Sequence, residues 1–369
     1  MVLENIKKIA FFLPDLRTGG AEKVFVQLAN SLSDQGYSVD LLVAQNEGTL
    51  FSLVNSNVQI LAFSQAKKTK LSLLFSSIAG LYRYIKHNKP HTVFSTITGA
   101  NLVAAFVKVL LPKQSTKIIL REASSVHNSG LAYRWLSRML YPQSDGVIAG
   151  SNGVMKDLVS YYSVSKIKTF LIRNPVDLAL IKKLSEEKVM HPWLLNNHSS
   201  LIVSVGRLTA AKDFVTLIKA FKLVRDERAS KLIIIGEGEC REKLEEKVTE
   251  LGLQNDVGFV GFRENPYPFV LRADLFVLSS QWEGFPNVIL EALALGRNVV
   301  STDCHAGPAE ILSGIGGCTL VPVGDPEKLS SAILEKLNDT LDTREADDRL
   351  KEYAIKTVSQ RYIELMDSI

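Results

Sequence analysis

Ser279-Ser280-Gln281-Trp282-Glu283-Gly284-Phe285-Pro286-Asn287-Val288-Ile289-Leu290-Glu291-Ala292-Leu293-Ala294-Leu295-Gly296 is the stretch on which the fold turns. The apolar run before it, Leu275 to Leu278, reads as a buried parallel strand, and Pro286 stands where a helix begins. Strand, short loop and helix form one unit. At the helix N-terminus, unpaired backbone N–H groups and the positive end of the dipole favour an anion. Glu283 falls in the loop and Glu291 on the second helical turn, so the two carboxylates have different surroundings. Each is a natural acceptor for hydroxyl donors.

Outward from this stretch the same alternation recurs. Strands are expected at Lys8–Leu13, Tyr37–Ala44, Val58–Phe63, Thr92–Ser95, Lys117–Arg121 and Gly146–Ala149, then at Leu201–Val205, Leu232–Ile235, Val257–Phe262 and Asn298–Thr302. Helical patterns separate them, the first carried by Ala21, Val24, Phe25, Leu28, Ala29 and Leu32 and stopped by Gly36. Such alternation predicts doubly wound parallel sheets, and 369 residues suit two domains. The charged, Pro-containing segment 182–197 reads as a linker or insertion.

The strand Leu201–Val205 runs into Gly206-Arg207-Leu208, with Lys212 shortly after. Gly206 admits a phosphate close to the backbone, while Arg207 and Lys212 supply two cations for a diphosphate. Gly19 and Gly20 likewise open the backbone at the head of the first helix, without the G-x-G-x-x-G dinucleotide fingerprint. A diphosphate bearing hydroxyls at both ends is a sugar nucleotide: Glu283 is suited to the sugar and Glu291 to the ribose.

The Glu-x7-Glu spacing with Gly284-Phe285-Pro286-Asn287 resembles the signature of retaining glycosyltransferases of family 4. The resemblance extends to Gly206-Arg207-Leu208…Lys212, the Gly19-Gly20 loop, the Gly236-Glu237-Gly238 turn and Gly261-Phe262-Arg263, where relatives hold the base. It implies the GT-B fold, two Rossmann-like domains facing across a cleft. The first would span 1–175, with a C-terminal helix at about 352–369 packing back on it, and the donor domain 176–351. Arg207, Lys212 and Glu283 would be catalytic, and Gly284 to Val288 and Glu291 would complete the donor site. A histidine near the end of the fifth strand is common in relatives. Here the nearest is His127, several residues late, and Arg121 and Glu122 stand as alternatives.

The implied activity is retaining sugar transfer from a nucleotide diphosphate sugar, UDP-linked by expectation. The implied acceptor is a glycan or polyprenyl-diphosphate-linked glycan in bacterial surface polysaccharide or lipopolysaccharide synthesis. Two other readings remain open: a UDP-sugar 2-epimerase of the same architecture, and a non-catalytic nucleotide-sugar-binding subunit. No cofactor or metal is expected, since no Asp-x-Asp motif occurs and the cations answer the diphosphate charge.

Cys240, Cys304 and Cys318 are odd in number and lack ligand spacing, which favours a reducing cytoplasm and no zinc site. The run Ile9–Leu13 is too short for a signal peptide and Leu102–Leu111 too short to span a bilayer. Residues 1–173 hold 20 Lys and Arg against 9 Asp and Glu, and the remainder 23 against 30. A basic first half suits an anionic partner; no nucleic-acid-binding signature accompanies it. The segments Leu81–Lys86 and Tyr133–Tyr141 mix aromatic and basic residues, and Lys67, Lys68 and Lys70 precede the first. They suit peripheral contact with the inner face of the cell membrane, or alternatively a core face with solvated bases.

Overall fold

A computed structural model describes residues 7–17, 19–65, 69–112, 116–124, 130–195 and 199–369. The chain divides into two compact units, Met1–Pro175 with Ile355–Ile369, and Val176–Ala354.

The first unit is built on β1 (Lys8–Leu13), β2 (Ser38–Val43), β3 (Gln59–Ala62), β4 (Thr92–Thr96), β5 (Lys117–Glu122), β6 (Gly146–Ala149) and β7 (Thr169–Leu171). All pairings are parallel, in the order β3-β2-β1-β4-β5-β6-β7. Its helices are α1 (Gly20–Asp34), α2 (Lys70–Asn88), α3 (Thr98–Leu110), α4 (Leu131–Leu140) and α5 (Asn152–Tyr161). Central strands such as Ile9-Ala10-Phe11-Phe12-Leu13 are apolar on both faces because helices cover both faces of a parallel sheet.

The second unit carries β8 (Ser200–Val205), β9 (Ser230–Ile235), β10 (Val257–Phe259), β11 (Leu275–Leu278), β12 (Asn298–Thr302) and β13 (Cys318–Val321), all parallel in the order β10-β9-β8-β11-β12-β13. Around them run α6 (Leu178–Ser185), α7 (Pro192–Leu195), α8 (Phe214–Glu227), α9 (Arg241–Glu250), α10 (Tyr267–Leu271), α11 (Asn287–Ala294), α12 (Pro308–Leu312), α13 (Pro326–Lys336) and α14 (Thr343–Tyr353). Alternate strand residues feed two cores: Leu201 and Val203 pack with Ile289 and Leu290 of α11, whereas Ile202 packs with Leu217 and Phe221 of α8. The last helix, α15 (Ile355–Ser368), belongs to the first unit, where Tyr362 meets Phe94 edge-on with ring centroids 5.0 Å apart.

Four details differ from expectation. β7 and β13 are edge strands, half exposed and too short to show a period, so the sequence pattern does not announce them. β10 stops at Phe259 rather than Phe262, since Gly261 takes φ +75° and turns the chain away. Segment 182–197 is not a plain linker: within its described residues α6 runs on to the buried Ser185, and Leu184, Val189, Trp193 and Leu194 pack against the core of the second unit. Pro286, with ψ 87°, precedes α11 rather than starting it. Among the described residues no helix is long and apolar enough to cross a membrane.

Candidate functional site

The strand order of the second sheet reverses between β8 and β11, and such a reversal leaves a crevice at the carboxyl ends of the strands. The loops that leave β8 and β11 there carry Gly206–Asp213 and Ser279–Pro286. Backbone and hydroxyl groups lock them together: Ser279 Oγ donates to Lys212 O at 2.8 Å and Gln281 N to Ala211 O at 2.8 Å. Thr302 Oγ1, from the end of β12, donates to Ser280 O at 2.6 Å. Ser279, Ser280 and Thr302 are all buried, so these bonds are shielded from water.

Within that frame Lys212 Nζ donates to Glu283 Oε1 at 2.5 Å, and Ser280 Oγ donates to the same oxygen at 2.6 Å. The two ionic side chains are 19% and 11% exposed, so their attraction is only partly screened. Oε2 of Glu283 has no protein donor among the described residues and is left to accept a hydroxyl. Asp213, at φ +43°, caps α8 through Thr216 and fixes the turn that carries Lys212. Gly206 lies under the Lys212 stem: a Cβ there would stand 3.3 Å from Cδ and Cε. Arg207 is exposed, and its guanidinium makes no ion pair or hydrogen bond among the described residues.

The loops after β9 and β10 come against the Gly206 loop. Gly206 N donates to Ile235 O, Leu208 N to Glu237 O and Gly236 N to Gly261 O, all between 2.9 and 3.0 Å. Gly236 has φ +148°, and a Cβ on it would lie 2.0 Å from Gly206 O; the strand ends meet this closely only because Gly236 lacks a side chain. Phe262, half exposed, and Arg263, exposed, follow Gly261.

On α11, Glu291 accepts from the Tyr267 hydroxyl at 3.1 Å. Burial and the Glu291 charge both raise the Tyr267 pKa, so the phenol stays a donor. Phe285 and Pro286 are buried and anchor the loop, while Gly284, Asn287 and Val288 are partly exposed. Gly307 packs on Pro286, where its own Cβ would approach Cδ to 2.3 Å. The Cys304 thiol is pushed up to about 12 by burial and by the Glu283 charge, which keeps it neutral. Among the described residues no group of three or more His, Cys, Asp or Glu is placed to hold a metal ion.

The remaining candidates lie in the first unit and are described within it. Gly19 precedes α1, but the space beside its Cα holds the Glu22 carboxylate, with Oε2 2.1 Å from where a Cβ would be. Gly20 is the first residue of α1. Arg121 and Glu122 are fully buried and engaged inside the unit. Arg121 donates to Thr96 Oγ1 at 3.1 Å and to Asn174 Oδ1. Glu122 receives Tyr141 OH at 2.8 Å and the backbone N–H of Ala123 at 3.1 Å. Burial raises the Glu122 pKa and lowers that of Arg121. His127, like Lys67 and Lys68, lies outside the described residues.

Sequence reasoning missed Ser280, Thr302 and Tyr267, the residues that orient the two acids. Ser280 stood inside the quoted stretch, three residues before Glu283, within reach of a local hydroxyl–carboxylate bond. Thr302 and Tyr267 left no sequence signal, because their partners are 22 and 24 positions away.

Two family models match the chain: Glycosyltransferase Family 4 over residues 18–180 and Glycosyl transferases group 1 over residues 185–357. An uncharacterized glycosyltransferase of Methanocaldococcus jannaschii is 32% identical over 69% of this chain and 66% of its own length. A Campylobacter jejuni enzyme, N-acetylgalactosamine-N,N'-diacetylbacillosaminyl-diphospho-undecaprenol 4-alpha-N-acetylgalactosaminyltransferase, is 27% identical over 90% of this chain and 91% of its own. Among solved structures, Anabaena HepE in complex with UDP and glucose superposes with a TM-score of 0.81 over 98% of this chain and 100% of that one, at 19% identity. At that identity the likeness shows a shared fold, which is GT-B.

Proposed function

The chain belongs to the glycosyltransferases of family 4 and group 1, and we propose that it moves a sugar from a UDP-linked donor to a lipid-linked glycan with retention at the anomeric carbon. The observation that carries this reading is the Lys212–Glu283 pair at the strand-order reversal, beside the exposed Arg207. Arg207 and Lys212 take up charge on the departing diphosphate, so no metal is required for that step. Glu283 orients the sugar through Oε2, and Glu291, set by Tyr267, accepts a ribose hydroxyl. Gly206, Gly236 and the Phe262-Arg263 turn line the nucleotide. Retention follows from departure and attack on one face of the sugar.

The lipid-linked acceptor is supported by the diphospho-undecaprenol in the name of the Campylobacter jejuni relative. It sets the reaction at the inner face of the cell membrane, in surface polysaccharide or lipopolysaccharide assembly. The test is a donor screen by thermal shift, then transfer to a polyprenyl-diphosphate glycan, with the anomeric configuration of the product read by NMR. Arg207→Ala, at an exposed side chain with no partner among the described residues, should lower kcat by roughly 10²–10³-fold at unchanged Tm. Unchanged turnover in that variant would remove the diphosphate role, and an inverted product would remove retention. Full activity in a chelator is expected.

A further inference from the structure

α4 turns its apolar side outward. Its one fully buried residue is Ser137, whereas Leu131, Trp135 and Met139, a stripe at i, i+4 and i+8, are 83%, 60% and 52% exposed. The neighbouring helices continue the surface: α3 packs against both α2 and α4, α2 exposes Leu71 and Phe75, and α3 exposes Val109. All three lie on one face of the sheet, since the crossovers β3 to β4, β4 to β5 and β5 to β6 run the same way across it with one hand. Apolar surface of this extent, left open on a folded unit, marks a contact with something outside it.

The charge around it identifies the class of partner. Residues 48–144 contain 12 Lys and Arg against one acid, Glu122, and Glu122 is buried. α2, α3 and α4 therefore carry no acid of their own; an acid from outside the range, Asp145, pairs with Lys108 near the end of α3 at 2.7 Å. Arg138, exposed, and Arg134, half-buried, run along α4 beside the apolar stripe, and Lys70 opens α2. Aliphatic and aromatic side chains flanked by cations, on helices whose own sequences hold no acid, match the boundary between anionic headgroups and acyl chains. A nucleic acid offers nothing for Leu131 and Met139 to enter.

We infer, taking only its setting from the lipid-linked acceptor reading above, that this face docks the first unit on an anionic bilayer. Leu131, Trp135 and Met139 enter below the phosphates, and Arg134 and Arg138 lie among them. The structure also divides the two aromatic–basic segments of the sequence. Leu81, Tyr84 and Ile85 of α2 are core, so the contact falls to α4 and the first turns of α2.

The full chain is sedimented with vesicles of phosphatidylcholine alone and of phosphatidylcholine mixed with phosphatidylglycerol. Binding to the mixed vesicles is expected, with about tenfold weaker partitioning in Leu131→Ser/Trp135→Ser and in Arg134→Gln/Arg138→Gln. Tryptophan emission should shift to shorter wavelength on vesicle addition in the wild type and not in Trp135→Phe, a substitution that leaves the stripe apolar. Retention of the nucleotide-induced Tm shift in each variant reports an intact second unit. Absence of binding by the wild type, or wild-type binding by the serine variant, overturns the docking. So does a concentration-dependent dimer that shields Trp135 without lipid, which would make a second copy the occupant. A wild type that binds vesicles but shows no response to any nucleotide sugar removes the donor-site reading and leaves the docking standing.

Discussion

Glu283 Oε1 receives both Lys212 and Ser280, so the acid is held in one orientation from two directions before any ligand arrives. Orientation of this kind lowers the reorganisation needed as charge moves toward the diphosphate. Glu283→Gln should keep the hydroxyl contact from Ser280 but lose the ion pair, and kcat is expected to fall about 10²-fold or more in a transfer assay. Ser280→Ala removes one hydrogen bond worth about 1 kcal/mol, which predicts a several-fold rise in donor KM and a smaller change in kcat. Gly236→Ala acts through the backbone: its Cβ would meet Gly206 O at 2.0 Å, at a φ of +148° that L side chains rarely adopt. A destabilisation of roughly 2 kcal/mol or more is expected, seen as a Tm lower by about 4–8 °C.

Elements are held in place by ionic contacts whose pH dependence can be worked out. Asp256, just before β10, accepts from Lys231 of β9 at 2.7 Å and pairs with Arg225 of α8 at 3.1 Å. Burial alone would raise its pKa, but the hydrogen bonds from Lys231 and Arg225 outweigh this and leave it below the usual carboxylate range. Between the folded and unfolded pKa values the native state binds fewer protons. The stabilisation is therefore complete above the unfolded value of about 3.9 and is lost as pH falls through the folded one. Asp256→Asn should cost on the order of 1 kcal/mol at neutral pH, reduced by the exposure of Arg225. The urea midpoints of wild type and variant should converge as the pH falls through the lowered pKa of Asp256; a gap that persists once the carboxyl is protonated would show that Asp256 acts through packing instead.

At the scale of the molecule, the chain leaves the first unit at Pro175 and returns to it at Ile355. Tyr362 is buried against Phe94, and Ile363, Leu365 and Met366 join the same core. The first unit thus completes its core only after the second has been traversed. Tyr362→Ala should destabilise the first unit by about 3–5 kcal/mol through the cavity it leaves, while the second unit keeps its own transition and its nucleotide response. Calorimetry with and without UDP checks this: a matching loss in both transitions would mean that the units do not unfold separately.

The alternation of apolar runs and helical periods determined the parallel α/β architecture. The spacing of Glu283 and Glu291, with Gly206, Arg207 and Lys212, marks the loops suited to a sugar nucleotide, because local periodicity and short motifs are written contiguously. The partners that orient those groups, Ser280 aside, come from other strands and helices, and only packing decides them: Thr302 under Ser280, Tyr267 on Glu291. Burial is likewise a tertiary property. Arg121 and Glu122, alternatives to a histidine near the end of the fifth strand, are enclosed, while the apolar residues of α4, which read equally well as core, face outward. Residue type sets what a side chain can do, but the neighbours that grant or deny it water are fixed only when the chain has folded.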